Sequence, residues 1–273
     1  MLLSVATANL YFQPFEQTLE IIAKAGFQNI ELDMFYAGKE WAMAQHLRDV
    51  PIKRVVRMVE RSGLRISSIH DGSGVLDTEH SLSGFINPAL DLYISEMGYA
   101  PECLVFHTPT IEGNPGNGWW ERISGELADS LERFRKIFSF VTIENLPLID
   151  GYFVPLITPE ELKAYVVENS LGATIDTTHY AQMGVDILEA ARILGRNIKT
   201  IHLSDFKADR THVFIGDGEL NLSGFFDSLD KESVNAITLE CSLSATDRSS
   251  QEMSYEELVS RMKEARLRLE SLL

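Results

Sequence analysis

Short apolar runs of strand length alternate with longer amphipathic stretches from one end of the chain to the other. The runs at 2–8, 27–34, 64–70, 102–108, 140–147, 173–179, 197–205 and 236–242 read as β-strands. Between and after them, 15–26, 52–63, 87–98, 118–139, 158–172, 184–195, 222–233 and 254–273 read as helices. Gly26 and Gly63 stop the first two helices, as the position after a helix end favours. Thr158-Pro159-Glu160-Glu161 is a strong helix start, with proline in the first turn and acids at the positive end of the dipole. Strands flanked by helices imply a parallel sheet. Eight such units in 273 residues, about 34 each, predict a closed (β/α)8 barrel, an α/β fold. The alternative, a doubly wound open sheet, lacks its glycine-rich phosphate turn after the first strand. With no linker, low-complexity stretch or break in composition, 1–273 reads as one barrel domain.

The strand pattern carries a chemical pattern at its ends. His70, His107, Glu144, Asp176, His179, His202 and Glu240 each close, or nearly close, one of these runs. All are metal-ligating types, and barrel strand ends converge on one face. Glu144, Asp176, His202 and Glu240 form a hard, mostly oxygen set suited to one Mn²⁺, Mg²⁺ or Co²⁺, and able to hold Zn²⁺. His70, His107 and His179 add nitrogen donors for a second, softer site with additional Zn²⁺, or for a substrate. The longest irregular pieces, 71–86, 109–118, 147–157 and 205–222, all follow strands and so belong to that same face. The last carries Asp205, Lys207, Asp209, Arg210 and His212, then Gly216-Asp217-Gly218. Lys207 and Arg210 suit a phosphate or carboxylate, and the glycines allow close approach of backbone to a ligand. Trp119 and Trp120 are expected to pack rather than stack on a ligand, and His46 and His80 carry no assigned role.

Composition narrows the partners. A hydrophobic fraction of 45% and a charged fraction of 23% are those of a globular chain with a real core. The net charge of −16 gives no global attraction to nucleic acid or an anionic membrane. Two cysteines make no disulfide framework, the first residues lack a basic leader, and no apolar stretch reaches membrane-spanning length. A cytoplasmic protein is expected. A homo-oligomer is compatible with the sequence, but no residue specifies one.

The segments IENLP (143–147), IDTTHYAQMGVD (175–186), IHLSDFK (201–207) and HVFIGDGELN (212–221) resemble the xylose isomerase-like TIM-barrel superfamily. That superfamily holds sugar isomerases and epimerases and the endonuclease IV family (AP endonuclease family 2). The resemblance implies Glu144, Asp176, His202 and Glu240 as metal ligands. In the epimerase branch it implies Glu144 and Glu240 as the acid/base pair, with His179 and Arg210 on the substrate. In the three-zinc nuclease branch His70, His107 and His179 would be ligands too, and the third zinc takes Asp and His from an Asp-Arg-His run. Here that run is Asp209-Arg210-Thr211-His212, one residue longer, which points away from the nuclease. The expected function is a divalent-metal-dependent isomerase or epimerase of a sugar, sugar phosphate or inositol-like polyol, acting through a metal-stabilised enediolate. A related dehydratase is the near variant. The alternative is a zinc phosphodiesterase acting at abasic DNA. The partner is then a small carbohydrate, not nucleic acid or membrane.

Overall fold

Eight parallel strands close into a barrel in the computed structural model, which describes residues 1–34, 47, 50–72, 76, 82, 85–87, 89–208, 210–244 and 249–273. His46, His80 and Asp209 lie outside the described residues. The strands are β1 (Leu2–Ala6), β2 (Asn29–Asp33), β3 (Arg65–Asp71), β4 (Cys103–His107), β5 (Phe140–Glu144), β6 (Gly172–Asp176), β7 (Ile198–Leu203) and β8 (Ala236–Leu239). Each pairs in parallel with its sequence neighbours, and β8 closes on β1 with Thr238 opposite Ser4. The (β/α)8 expectation holds.

The helices are α1 (Phe15–Lys24), α2 (Ile52–Arg61), α3 (Leu90–Met97), α4 (Trp119–Leu131), α5 (Pro159–Glu168), α6 (Thr177–Gln182), α7 (Ile187–Leu194), α8 (Leu222–Ser228) and α9 (Tyr255–Glu270). Thr158 and Glu161 form a reciprocal capping box at the start of α5, and Ser254 and Glu257 do so for α9. Trp119, Ile123, Leu127 and Leu131, four residues apart, make the buried stripe of α4. No helix among the described residues is long and apolar enough to cross a membrane.

Two sequence expectations change. The helix expected over 118–139 ends at Leu131, and Phe134–Lys136 forms a tighter 3₁₀ turn. That turn buries Phe134, whose ring lies 6.0 Å from that of Phe106 on β4. The strand expected through His179 ends at Asp176, because its carboxylate accepts the amide hydrogens of Thr178 and His179 at 2.8 and 2.9 Å. This N-cap starts α6, so His179 sits on a first helical turn rather than on a strand.

Inside the barrel, side chains two apart on a strand share the inner face. Thr142 therefore precedes Glu144, Thr174 precedes Asp176, Thr200 precedes His202 and Thr238 precedes Glu240 on that face. The threonines are buried, and Thr174 bonds both Thr142 (2.7 Å) and Thr200 (2.6 Å). A layer of hydroxyls thus floors the cavity that the next residues fill. Two of the loops after strands meet in a short antiparallel pairing, Ile111–Glu112 against Tyr152–Phe153, and a third folds into a hairpin, Asp205–Lys207 against Arg210–Val213.

Candidate metal centre

The inner-face residues at the strand ends converge around Glu144. Its Oε2 lies 3.2 Å from His70 Nε2, 3.4 Å from His107 Nε2 and 3.1 Å from His202 Nδ1. His70 Nε2 and His107 Nε2 face each other at 3.0 Å, and His202 Nδ1 also meets Glu240 Oε2 at 2.9 Å. Four groups offer donor atoms within 4.8 Å of one another: Glu144, Asp176 and His202; His70, His107 and Glu144; Asp176, His179 and His212; and Glu31, His70, His202 and Glu240. All seven strand-end residues, and His212, thus stand in one cluster. Lys207 and Arg210 are exposed on the hairpin and stand in none of these groups.

Sequence reasoning passed over Glu31 and Asp33. Both lie on β2 and are buried on the inner face. Glu31 Oε1 is 2.9 Å from His202 Nε2, and Asp33 Oδ1 is 3.4 Å from His70 Nδ1. Their signal was an Ile-Glu-Leu-Asp alternation that puts two acids on one face of a strand.

Two more histidines are held by main chain. A carbonyl can only accept, so His179 Nδ1 donates to Asn145 O (2.9 Å) and His212 Nδ1 donates to Glu240 O (3.1 Å). Each ring then has Nε2 left for another partner. Asn145 is itself fixed: its Oδ1 accepts from Asp176 N and its Nδ2 donates to Asp176 O, at 2.8 and 3.1 Å. The extra residue before His212 does not carry it away. Ala208 (φ 55°) and His212 (φ 49°) take left-handed backbone, and Thr178 Oγ1 accepts the His212 amide at 3.1 Å. The glycines of Gly216-Asp217-Gly218 approach a side chain of the protein itself. Asp205 accepts from the amides of Phe206, Gly216, Gly218 and Leu220 at 2.8–3.0 Å. Trp119 is buried against Phe153 (5.5 Å between rings) and Trp120 packs on Tyr165, so both indoles pack as expected.

The electrostatics are those of acids and imidazoles neutralising each other. Burial alone would push the Glu144 carboxyl up, but the imidazoles of His202, His107 and His70 outweigh it and hold it well below the usual range. Burial opposes protonation of His202, yet Glu31, Glu144 and Glu240 raise its pKa well above 6.5. His179 rises to about 9, with Asp176 and Glu144 overcoming burial. Glu240 falls to about 2, with His202 overcoming burial. Burial pushes the thiols of Cys103 and Cys241 up to about 12, so neither is a nucleophile.

The donor set fits a divalent cation. Among the described residues, both oxygens of Glu31 and Glu144, Asp176 Oδ2, both nitrogens of His202 and Glu240 Oε2 are buried without a hydrogen-bond partner, although several lie at ion-pair distance. Such atoms are costly to bury unless something charged completes them. The 3.0–3.4 Å separations among His70, His107 and Glu144 match the roughly 3.3 Å edge of a tetrahedral ion with bonds of about 2.0–2.1 Å. Glu144, Asp176, His202 and Glu240 are oxygen-rich and suit Mn²⁺, Mg²⁺ or Co²⁺, whereas the groups with two histidines suit Zn²⁺.

A family model described as xylose isomerase-like TIM barrel matches residues 19–265. No curated protein matches the chain in sequence. Among solved structures, an L-ribulose 3-epimerase is similar at 18% identity and a TM-score of 0.73, over 100% of this chain and 96% of the other. An AP endonuclease, family 2, from Brucella melitensis is similar at 13% identity and a TM-score of 0.66, over 92% and 95%. A xylose isomerase-like TIM barrel/4-hydroxyphenylpyruvate dioxygenase fusion protein is similar at 18% identity and 0.69. There the match covers 99% of this chain but only 44% of the fusion. At these identities the likeness is one of fold.

Proposed function

The chain belongs to the xylose isomerase-like TIM barrel family, and on that premise we propose that it is a divalent-metal-dependent sugar isomerase or epimerase. Its substrate is a free or phosphorylated sugar or an inositol-like polyol, and 1–273 act as one barrel domain. One observation carries the reading. Glu144 and Glu240, from strands β5 and β8, both reach Nδ1 of His202, at 3.1 and 2.9 Å. That places two ionised carboxylates at one centre, as a proton transfer between two sites requires.

Glu144, Asp176, His202 and Glu240 would hold the cation. Once bound, it supplies Lewis acidity to the substrate's carbonyl and neighbouring hydroxyl oxygens, which makes the adjacent C–H acidic. One of Glu144 and Glu240 takes that proton and leaves an enediolate. Their depressed pKa values keep both ionised at neutral pH, as a base must be. Return of the proton to the opposite face of the same carbon inverts it. Return to the neighbouring carbon moves the carbonyl instead. His179, whose Nδ1 is committed to Asn145 O, keeps Nε2 for a substrate hydroxyl. The free, buried cysteines agree with a reducing compartment such as the cytoplasm.

A second reading has its own support. His212 joins Asp176 and His179 in a donor group of the kind a three-zinc phosphodiesterase for abasic DNA would use. The net charge of −16 weighs against a DNA substrate. Solvent deuterium exchange into a panel of ketoses, ketose phosphates and keto-inositols separates the two. Exchange that Glu144→Gln and Glu240→Gln abolish is expected. No exchange with any of them, together with cutting of abasic-site DNA, would replace this reading with the second.

A further inference from the structure

Strand β2 supplies two buried acids to the cavity, and one of them, Glu31, has a carboxylate oxygen within 4.8 Å of donor atoms of His70, His202 and Glu240. Glu31 and Asp33, two residues apart, share the inner face and stand behind two of the histidines. Every imidazole has two nitrogens, and here each ring is addressed from both sides. His202 turns Nδ1 towards Glu144 and Glu240 and Nε2 towards Glu31. His70 turns Nε2 towards Glu144 and His107 and Nδ1 towards Asp33. The two rings are therefore used in opposite senses.

We propose that Glu31 is the positioning residue that assigns Nδ1 of His202 to the metal, and that Asp33 likewise assigns Nε2 of His70. This rests on the metal reading above. A carboxylate oxygen that faces a ring nitrogen can accept its hydrogen, and the opposite nitrogen then keeps the lone pair for a metal. Asp33 is built for this. Its Oδ2 accepts from Thr7 Oγ1 (2.9 Å) and Ala8 N (2.8 Å) in the turn after β1, which aims Oδ1 at His70. Glu31 has no such anchor: both its oxygens are buried without a hydrogen-bond partner among the described residues, and its nearest cationic contact is His202. A buried carboxylate so poorly satisfied is more costly than an apolar residue of its size, unless the site uses it. Carboxylates behind metal-bound histidines fix ring orientation and tautomer and raise ligand basicity. The rim histidines, His179 and His212, get the same service from main-chain carbonyls, so the β2 acids complete the set.

Zinc affinity by competition with a chromophoric chelator, with long-range ¹H–¹⁵N spectra of the histidine rings in the zinc-loaded full chain, tests this. In the unaltered protein, His202 is expected as the Nε2–H tautomer with zinc on Nδ1. Glu31→Leu is expected to weaken zinc by about 10–100-fold and to lose the single His202 tautomer. Glu31→Gln, whose amide oxygen still accepts, is expected to retain both. Should the leucine variant not fold, Glu31→Asp carries the test, because its carboxylate falls one methylene short of His202; weakened zinc is expected. Unchanged affinity and tautomer in the folded leucine or aspartate variant overturns the proposal alone. So does a glutamine variant as weak as the leucine one, since Glu31 would then be a direct ligand. Failure of the unaltered protein to bind any divalent metal overturns this proposal and the functional reading together.

Discussion

The floor and the rim of the cavity hold their histidines differently. On the floor, His70 and His202 are sealed from solvent and face acids on both sides. On the rim, His179 is 13% exposed, and it and His212 lean on the main-chain carbonyls of Asn145 and Glu240. His179 Nδ1 also lies 3.3 Å from Glu144, so the rim differs in the main-chain carbonyls that fix its rings' direction, not in lacking nearby charge. On the proposed reading the floor would hold the cation, and the rim would present the Nε2 atoms of two oriented rings to whatever enters.

The largest effects should come from the residues that join the two halves. Glu144 touches His70, His107 and His202 and also His179, at 3.3 Å. Glu144→Gln and Glu240→Gln should each lower the rate of substrate deuterium exchange by roughly 10²–10⁴-fold, as read by mass spectrometry. A comparable loss from His212→Ala would erase the distinction between floor and rim.

Next in size is a paired substitution. His202→Ala should weaken the tightest metal by at least about 10–100-fold, measured by calorimetric titration. His212→Ala should leave that affinity in place and raise KM instead. A loss of one bound zinc on His212→Ala would move the rim into the metal centre and favour the phosphodiesterase reading.

The pH dependence sharpens the same contrast. His179 is raised to about 9, so its interaction stabilises the metal-free fold fully below 6.5, and that contribution is lost as pH climbs through 9. Glu240 is lowered to about 2, so its contribution is present above 4.5 and is lost as pH falls towards 2. With chelator present, Tm should fall between pH 6.5 and 9. The rise in Tm on adding Mn²⁺ should grow over that interval, because a ligand imidazole must shed its proton. A metal-free Tm that climbs from pH 6.5 to 9 would contradict the arrangement of charges.

The smallest effect on chemistry, though not on stability, belongs to the loop after β7. A Cβ at Gly218 would stand 2.3 Å from Asp205 Oδ1 and 2.6 Å from Phe206 O. Gly218→Ala should cost about 1–3 kcal/mol of stability in denaturant unfolding while metal affinity changes little.

Much of this was legible in the order of residues. Eight strand-like runs spaced by helices specify a barrel, and metal-ligating types at the ends of successive runs predict one shared face. Glu31 escaped because its meaning depends on closure. β2 and β7 are separated by β1 and β8 around the barrel, and only the closed cavity sets Glu31 against His202. His179 was placed on a strand because the capping action of Asp176 is a matter of backbone direction, not of hydrophobic pattern. The residue inserted before His212 argued from linear spacing, while in the fold His212 still reaches Asp176 and His179. The glycines of 216–218 suggested a ligand, and the ligand turned out to be Asp205.

Calorimetric titration of the dialysed, metal-free chain with Mn²⁺, Co²⁺ and Zn²⁺ decides whether the residues around Glu144 bind a cation. A tight divalent site that disappears in Glu144→Gln is predicted. No binding of any of the three ions, or tight binding that Glu144→Gln leaves unchanged, would rule out a metal centre built on Glu144.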